Sequence, residues 1–268
     1  MTASLHLSSP ANPRVKWLVG LRKRRSRDAE GLAVVEGHDE LAVALDAGVE
    51  LRQFFYCPEL VANRDESSLL AVAERAGEVV SLSPPAFAKA SYRESPDGWL
   101  GIVPSPSRPL AKLPTGLRAL VLVCEAVEKP GNLGAMLRTA EAAGLDAVIA
   151  AAATTDWGNP NVVRASKGTV FGIPVSAAPT PEVVGWVKSR LLRVVLATPD
   201  TDTLATDVDL TGPTAIVVGA EHEGVSADWR AVADESVALP MVGRVNSLNV
   251  ATSAAVVIYE ALRQRALP

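Results

Sequence analysis

Apolar residues along the 268-residue chain fall into two rhythms. In the first, several follow one another without a break: Leu120 to Cys124, Ala147 to Ala151, Val194 to Ala197, Ala215 to Val218 and Val237 to Leu239. Rows of this kind predict strands buried on both faces, as in a parallel sheet with helices on either side. In the second, apolar residues recur every three or four positions. Leu133, Met136, Leu137 and Ala140 do so, which predicts a helix over 133–143 closed by Gly144. Further helices are expected over 181–191 and from about Leu248 to Ala266, with a short extended stretch from Val170 to Val175.

The front of the chain alternates on a smaller scale. Residues 14–30 read as one helix, 32–37 as a strand, 38–47 as a helix ended by Gly48 and 51–56 as a strand. A helix over 67–76 stopped by Gly77 and a strand from Val79 to Leu82 follow, which together make a small α/β domain. Pro104, Pro106 and Pro109 then fall within six residues, with Pro114 and Gly116 behind them. Such a stretch suits neither a helix nor a central strand. The expected division is a front domain over 1–104, a semi-rigid linker over 105–116 and a parallel-sheet domain over 117–268.

Composition narrows the classes. Apolar residues make up 48% of the chain and aromatics 4%, so the core is aliphatic. No apolar row nears the roughly 18–20 residues that span a bilayer, and Met1 to Pro13 carries no basic-then-apolar leader. A cytoplasmic protein is therefore expected. Cys57 and Cys124 sit singly inside apolar rows and read as small buried hydrophobes. His6, His38 and His222 are scattered, so no metal site is expected. The net charge is −4, but it is uneven. Residues 1–30 hold Arg14, Lys16, Arg22, Lys23, Arg24, Arg25 and Arg27 against Asp28 and Glu30. A concentrated basic segment on an acidic chain reads either as a solvated helix face or as a footprint for a phosphate backbone.

Candidate chemistry gathers where the apolar rows end, since open parallel sheets bind ligands beyond the carboxyl ends of their strands. A dinucleotide fingerprint is missing, because Gly131-Asn132-Leu133-Gly134 supplies only GxxG, and no phosphate-loop pattern occurs. Three segments remain. The first, Asn132 to Thr139, puts Asn132 at an expected helix N-cap and Arg138 off the apolar face. Arg138 is a surface arginine, or a cation that holds a phosphate or an alkoxide. The second, Val218 to Ser226, sets Glu221 between Gly219 and Gly224, which suits a tight turn or a backbone pressed close to a flat ligand. The third runs from Leu239-Pro240-Met241 to Ser247-Leu248-Asn249, with donors and acceptors at the start of an alanine-rich helix.

In this order, and each behind an apolar strand, the three segments resemble the motifs of the SpoU/TrmH-type SPOUT RNA 2′-O-ribose methyltransferases. Asn12-Pro13-Arg14 and Val35-Glu36-Gly37 are similar to that family's ribosomal-protein-like RNA-binding domain. Two positions depart from the usual pattern, His222 where Gly is frequent and Ala251 where Ser is common. The resemblance implies an α/β fold with a deep trefoil knot in its C-terminal domain and S-adenosylmethionine as cofactor. It implies a cofactor pocket from Leu196, Ala197, Thr198, Gly219, Leu239, Met241, Ser247 and Leu248. It also implies a catalytic group of Asn132, Arg138, Glu221 and Asn249, with Arg138 activating the 2′-hydroxyl.

Arg14, Arg22, Lys23, Arg24 and Arg25 would bind RNA, together with Arg164 and Lys167 of the segment Val163 to Gly168. A homodimer is expected from the same likeness and from the small, apolar final helix. The expected substrate is 23S rRNA, because the complete front domain resembles antibiotic-resistance methyltransferases of actinomycetes of the thiostrepton and avilamycin types. A transfer-RNA methyltransferase, a non-catalytic RNA-binding assembly factor and a nucleotide-dependent oxidoreductase are the competing readings. The missing fingerprint disfavours the last of these, and the retained Arg138, Glu221 and Asn249 disfavour the assembly factor.

Overall fold

The computed structural model describes residues 5–61, 66–221 and 223–266, which leaves His222 outside the described residues. Two compact units form. One comprises residues up to 106 together with 158–172, the other 107–157 and 173–268.

In the first unit the chain runs β1 (Leu5–Leu7), α1 (Pro13–Gly20), α2 (Arg24–Glu30), β2 (Leu32–Glu36) and α3 (His38–Asp46). It continues through β3 (Gln53–Tyr56), α4 (Pro58–Val61), α5 (Glu66–Arg75), β4 (Val79–Leu82), α6 (Pro84–Ala90) and β5 (Trp99–Pro104). The sheet order is β1-β4-β3-β5-β2, with β5 antiparallel to both of its neighbours. This central strand goes unforeseen in the pattern, because its row ends in the first of the clustered prolines. Pro104 is tolerated there as the last strand residue. A side chain at Gly101 would come within 2.7 Å of Leu41 and 2.9 Å of Leu51, so the strand lies close under α3.

The basic helix expected over 14–30 is two helices. Leu21 is fully buried, and Lys23 is extended (φ −85, ψ 130), which breaks the run. Arg27 is 3% exposed and reaches back to donate to the carbonyls of Leu21 and Arg22, each at 2.8 Å. It thereby satisfies carbonyl groups that the break frees from helical bonding. Arg27 belongs to the fold and not to a solvated basic face.

The second unit carries β6 (Leu120–Glu125), α7 (Pro130–Ala142) and β7 (Ala147–Ala151). After α8 (Pro160–Ala165), which packs in the first unit, come β8 (Val175–Ala178), α9 (Thr180–Ser189), β9 (Arg193–Ala197) and β10 (Thr214–Val218). Last are α10 (Ala227–Arg230), β11 (Glu235–Val237) and α11 (Val250–Ala266). Six parallel strands lie in the order β11-β9-β10-β6-β7-β8. One core joins Val121, Val123, Ile149, Leu196 and Val217 to Val183, Trp186 and Val187 of α9 and to Trp229. Helix α11 packs on α7 and β10 through Val250, Ala254, Val257, Ile258 and Ala261. The stretch 170–175 is only partly extended: Thr169–Phe171 is a 3-10 turn, and the strand begins at Val175.

Candidate active site

Three of the expected residues meet at the carboxyl ends of β6 and β10. Asn249 stands just before α11, where its Oδ1 accepts from the Ala251 N–H at 3.0 Å and caps that helix. Its Nδ2 donates to Asn132 Oδ1 at 3.2 Å, and Asn132 Nδ2 donates in turn to Glu221 Oε1. Lys129 Nζ lies 3.3 Å from the same carboxylate oxygen. Asn132 is not the cap of α7. Pro130, whose ring presets the helical φ, takes the first helical position and moves the cap to Lys129. The Asn132 carboxamide is therefore available to join Glu221 and Asn249. Arg138, further along α7, is exposed and makes no hydrogen bond or ion pair with the described residues.

The turn that carries Glu221 closes on itself. Gly224 N–H donates to Ala220 O at 2.9 Å, and Gly224 takes φ +67, a value that favours glycine. A Cβ at Gly219 would strike the backbone of Gly224 and come within 2.5 Å of Val225 N. Gly219 is thus required by its own turn.

Glu125, the last residue of β6, escaped the sequence reading. It is 4% exposed and collects three hydrogen bonds. Its Oε1 accepts from the hydroxyls of Thr180 (2.9 Å) and Ser226 (2.8 Å), and its Oε2 accepts from the Ser226 N–H (2.7 Å). One buried carboxylate therefore ties the end of β6 to the start of α9 and to Ser226, two residues beyond the Glu221 turn. The visible signal was a charge terminating the row Leu120-Val121-Leu122-Val123-Cys124. Next to it, Ala126 takes φ 51, an uncommon backbone state for a residue with a side chain.

Beside this group a cleft is lined by Ala197, Thr198, Leu239, Met241, Ser247 and Leu248, together with Val237 and Asn246. Leu196 points into the sheet core and does not line the cleft. Apolar walls at Leu239 and Met241, with hydroxyls at Thr198 and Ser247, suit a ligand that has a flat apolar ring and a polar sugar. S-adenosylmethionine has that make-up.

The expected RNA contacts divide by their partners. Arg14 pairs with Glu78 at 2.6 Å, and Arg24 with Asp28 at 3.3 Å. Arg22 donates to the carbonyls of Lys89 (2.9 Å) and Ser91, and its guanidinium lies 5.2 Å from the Tyr92 ring centre. The Lys23 and Arg25 side chains are exposed and bond to none of the described residues. Arg164 and Lys167 are exposed in the first unit, where Arg164 shares a polar recess with Glu40, Arg93 and Asn161. Cys57 and Cys124 are buried free thiols, and burial pushes the Cys124 thiol up to about 12. Among the described residues no group of three or more His, Cys, Asp or Glu could hold a metal ion, and no helix is long and apolar enough to cross a membrane.

A parallel sheet with a hydrogen-bonded carboxamide–carboxylate group and a mixed-polarity cleft at its strand ends is the build of a small-molecule binding site. Residues 119–259 match the SpoU rRNA Methylase family, and residues 12–101 match the MRM3-like substrate binding domain. The 23S rRNA (uridine(2479)-2′-O)-methyltransferase of Streptomyces viridochromogenes is 31% identical, over 93% of this chain and 89% of that protein. A crystal structure of an RNA 2′-O ribose methyltransferase superposes with a TM-score of 0.83 at 39% identity, covering 98% of this chain and all of that one. The SpoU methyltransferase AviRb from Streptomyces viridochromogenes, solved with the cofactor AdoMet, gives a TM-score of 0.87 at 29% identity over 95% of this chain and 98% of its own. The chain belongs to the SpoU rRNA methylase family and is an RNA 2′-O-methyltransferase.

Proposed function

We propose that 23S rRNA is the substrate of this S-adenosylmethionine-dependent enzyme, and that the joined side chains of Asn132, Glu221 and Asn249, with Arg138 further along α7, carry the chemistry. The linked group at the ends of β6 and β10, beside the cleft of Leu239 and Met241, is the observation that supports this reading most. A ribose 2′-hydroxyl is a weak nucleophile until its proton leaves. A guanidinium cannot take that proton, but it favours the alkoxide by charge, and that is the role of Arg138. Glu221 Oε2, which accepts no hydrogen bond from the described residues, accepts the hydroxyl's hydrogen bond and receives the proton. Asn132, held from the far side by Asn249, keeps Glu221 Oε1 in place. S-adenosylmethionine supplies the electrophilic methyl group when bound.

The 2′-hydroxyl as acceptor selects RNA over DNA. The rRNA relative with the same domain span favours 23S rRNA over transfer RNA. The basic residues of the first unit, Lys23 and Arg25 foremost, hold the RNA with Arg164 and Lys167. The enzyme works in the cytoplasm as a homodimer on a knotted second unit. Val256 and Tyr259, which lie three residues apart on α11 and remain 46% and 52% exposed, support the pairing face. Light scattering should return twice the chain mass.

Tritium transfer from labelled S-adenosylmethionine to purified 23S rRNA and to total transfer RNA tests the substrate. Label confined to transfer RNA would overturn it. Mapping the 2′-O-methyl site and measuring growth against ribosome-targeting antibiotics would then decide whether resistance is the biological outcome.

A further inference from the structure

A shallow recess of about 290 Å³ opens on the first unit, lined by Pro13, Arg14, Trp17 and Gln53. Its walls are held in place before any ligand arrives. Glu30 fixes the indole edge of Trp17, accepting from Nε1 with both carboxylate oxygens at 2.8 and 3.1 Å. Glu78 fixes the opposite side, accepting from Arg14 at 2.6 Å and from Gln53 Nε2 at 2.9 Å. Trp17 is the one tryptophan of the five that is not buried, since Trp99, Trp157, Trp186 and Trp229 are all at most 7% exposed. A folded chain with 4% aromatic residues keeps an indole partly in water here and immobilises it with a carboxylate.

We infer that this recess is a subsite for one unpaired RNA base, which stacks on Trp17 beside the Pro13 ring and the Arg14 guanidinium. Three observations select a base over other occupants. The walls are a planar indole, a proline ring and a planar guanidinium, and these accept any flat heterocycle. Glu30 and Glu78 flank the recess, so a phosphate is repelled from it while a neutral base is not. Lys16, Lys23 and Arg25, exposed on α1 and near the start of α2, supply positive charge for the phosphates on either side of that base. Arg14 is therefore a wall of the recess, its charge already met by Glu78. This assignment rests on the enzyme's being an RNA methyltransferase and adds that its RNA carries an extruded or single-stranded nucleotide at the first unit.

The test uses the full chain with a short oligoadenylate strand and the duplex that strand forms with oligouridylate. The single strand should quench the accessible tryptophan emission and the duplex should not. Trp17→Phe should keep single-strand binding within about threefold and abolish the quenching. Trp17→Ala should weaken single-strand binding about 5- to 100-fold, the range of one base–aromatic stack. Far-ultraviolet circular dichroism that matches the wild type certifies that each variant is folded. If the wild type methylates rRNA while single strand and duplex quench alike and Trp17→Ala binds as the wild type does, the subsite is overturned and the enzyme reading stands. If the wild type binds neither probe and methylates no RNA, the enzyme reading fails and the subsite falls with it. Quenching by a proline-containing peptide and by neither RNA would overturn the inference in favour of a peptide occupant.

Discussion

Glu36 in the first unit and Glu125 in the second are one device used twice. Each stands last in a buried strand, 5% and 4% exposed, and each captures a serine-bearing loop from far along the chain. Glu36 takes the Ser91 hydroxyl and, at 2.6 Å, the Tyr92 N–H. Glu125 takes the hydroxyl and N–H of Ser226 together with the Thr180 hydroxyl. The surroundings differ. Beside Glu36, Arg93 donates to its carbonyl oxygen at 2.7 Å and pairs with Glu40 at 2.8 Å, so the capture is reinforced by an ion pair. Glu125 is held by neutral donors alone. Part of the first unit's charge is spent on the fold, as Arg27, Arg93 and the paired Arg14 show, while Lys23 and Arg25 stay exposed. In the second unit Lys129 is exposed beside Glu221, and Arg138 is exposed and bonds to none of the described residues.

The largest effect is expected at Arg138, where the second unit's cation is assigned to the reaction. Arg138→Ala should slow methyl transfer about 100- to 1000-fold, the cost of removing one charge-stabilising donor. Cofactor affinity measured by calorimetry should stay within a few fold. A rate near that of the wild type would erase the contrast between the two sets of cations.

The paired glutamates offer the sharper test. Glu125→Ala and Glu36→Ala each strand buried donors, at about 1–3 kcal/mol for each group left unsatisfied, so both should lower the denaturation midpoint. Only Glu125→Ala should also cut kcat, by about tenfold, because it releases Ser226, which anchors the chain just behind the turn that holds Glu221. Glu36→Ala should raise the KM for RNA and leave kcat alone. Equal losses of kcat would show that the two captures do not divide their roles.

Replacing Arg22, Lys23, Arg24 and Arg25 together with alanine should flatten the salt dependence of RNA binding by about 1.5 units. That is fewer than four charges would give at about 0.7–0.9 each, because Arg22 and Arg24 already have protein partners. A drop of about three units would return the whole segment to the RNA. The smallest change is expected at Lys129→Met, no more than about fivefold in kcat, because its pair with Glu221 leaves the lysine 68% exposed and exposed pairs contribute at most about 1 kcal/mol.

Much of this was legible in the chain. Unbroken apolar rows placed β6, β7, β9 and β10 within a residue of their observed ends, and the three motifs singled out Asn132, Glu221 and Asn249, which the fold bonds to one another. Less legible were features that depend on a distant partner. The split of α1 from α2 falls just after Gly20, a weak local signal, and is fixed by burying Leu21 and Arg27. Glu125 looks like an ordinary strand end until Thr180 and Ser226, 55 and 101 residues away, bring their donors to it.

Periodicity and motif spacing are local properties, and they determined the alternation of strands and helices, the parallel sheet and the residue types at the strand ends. Tertiary structure decided which of those residues touch. It bonded Asn132 to Glu221 and Asn249 and left Arg138 apart, and it turned Gly219 into a requirement of its own turn. It also drew residues 158–172, with Val162, Val163 and Val170 buried, into the unit formed mainly by the front of the chain. The reason is physical: hydrogen bonds and apolar contacts between distant segments are set by how the chain closes in space, and the order of residues along it does not record that closure.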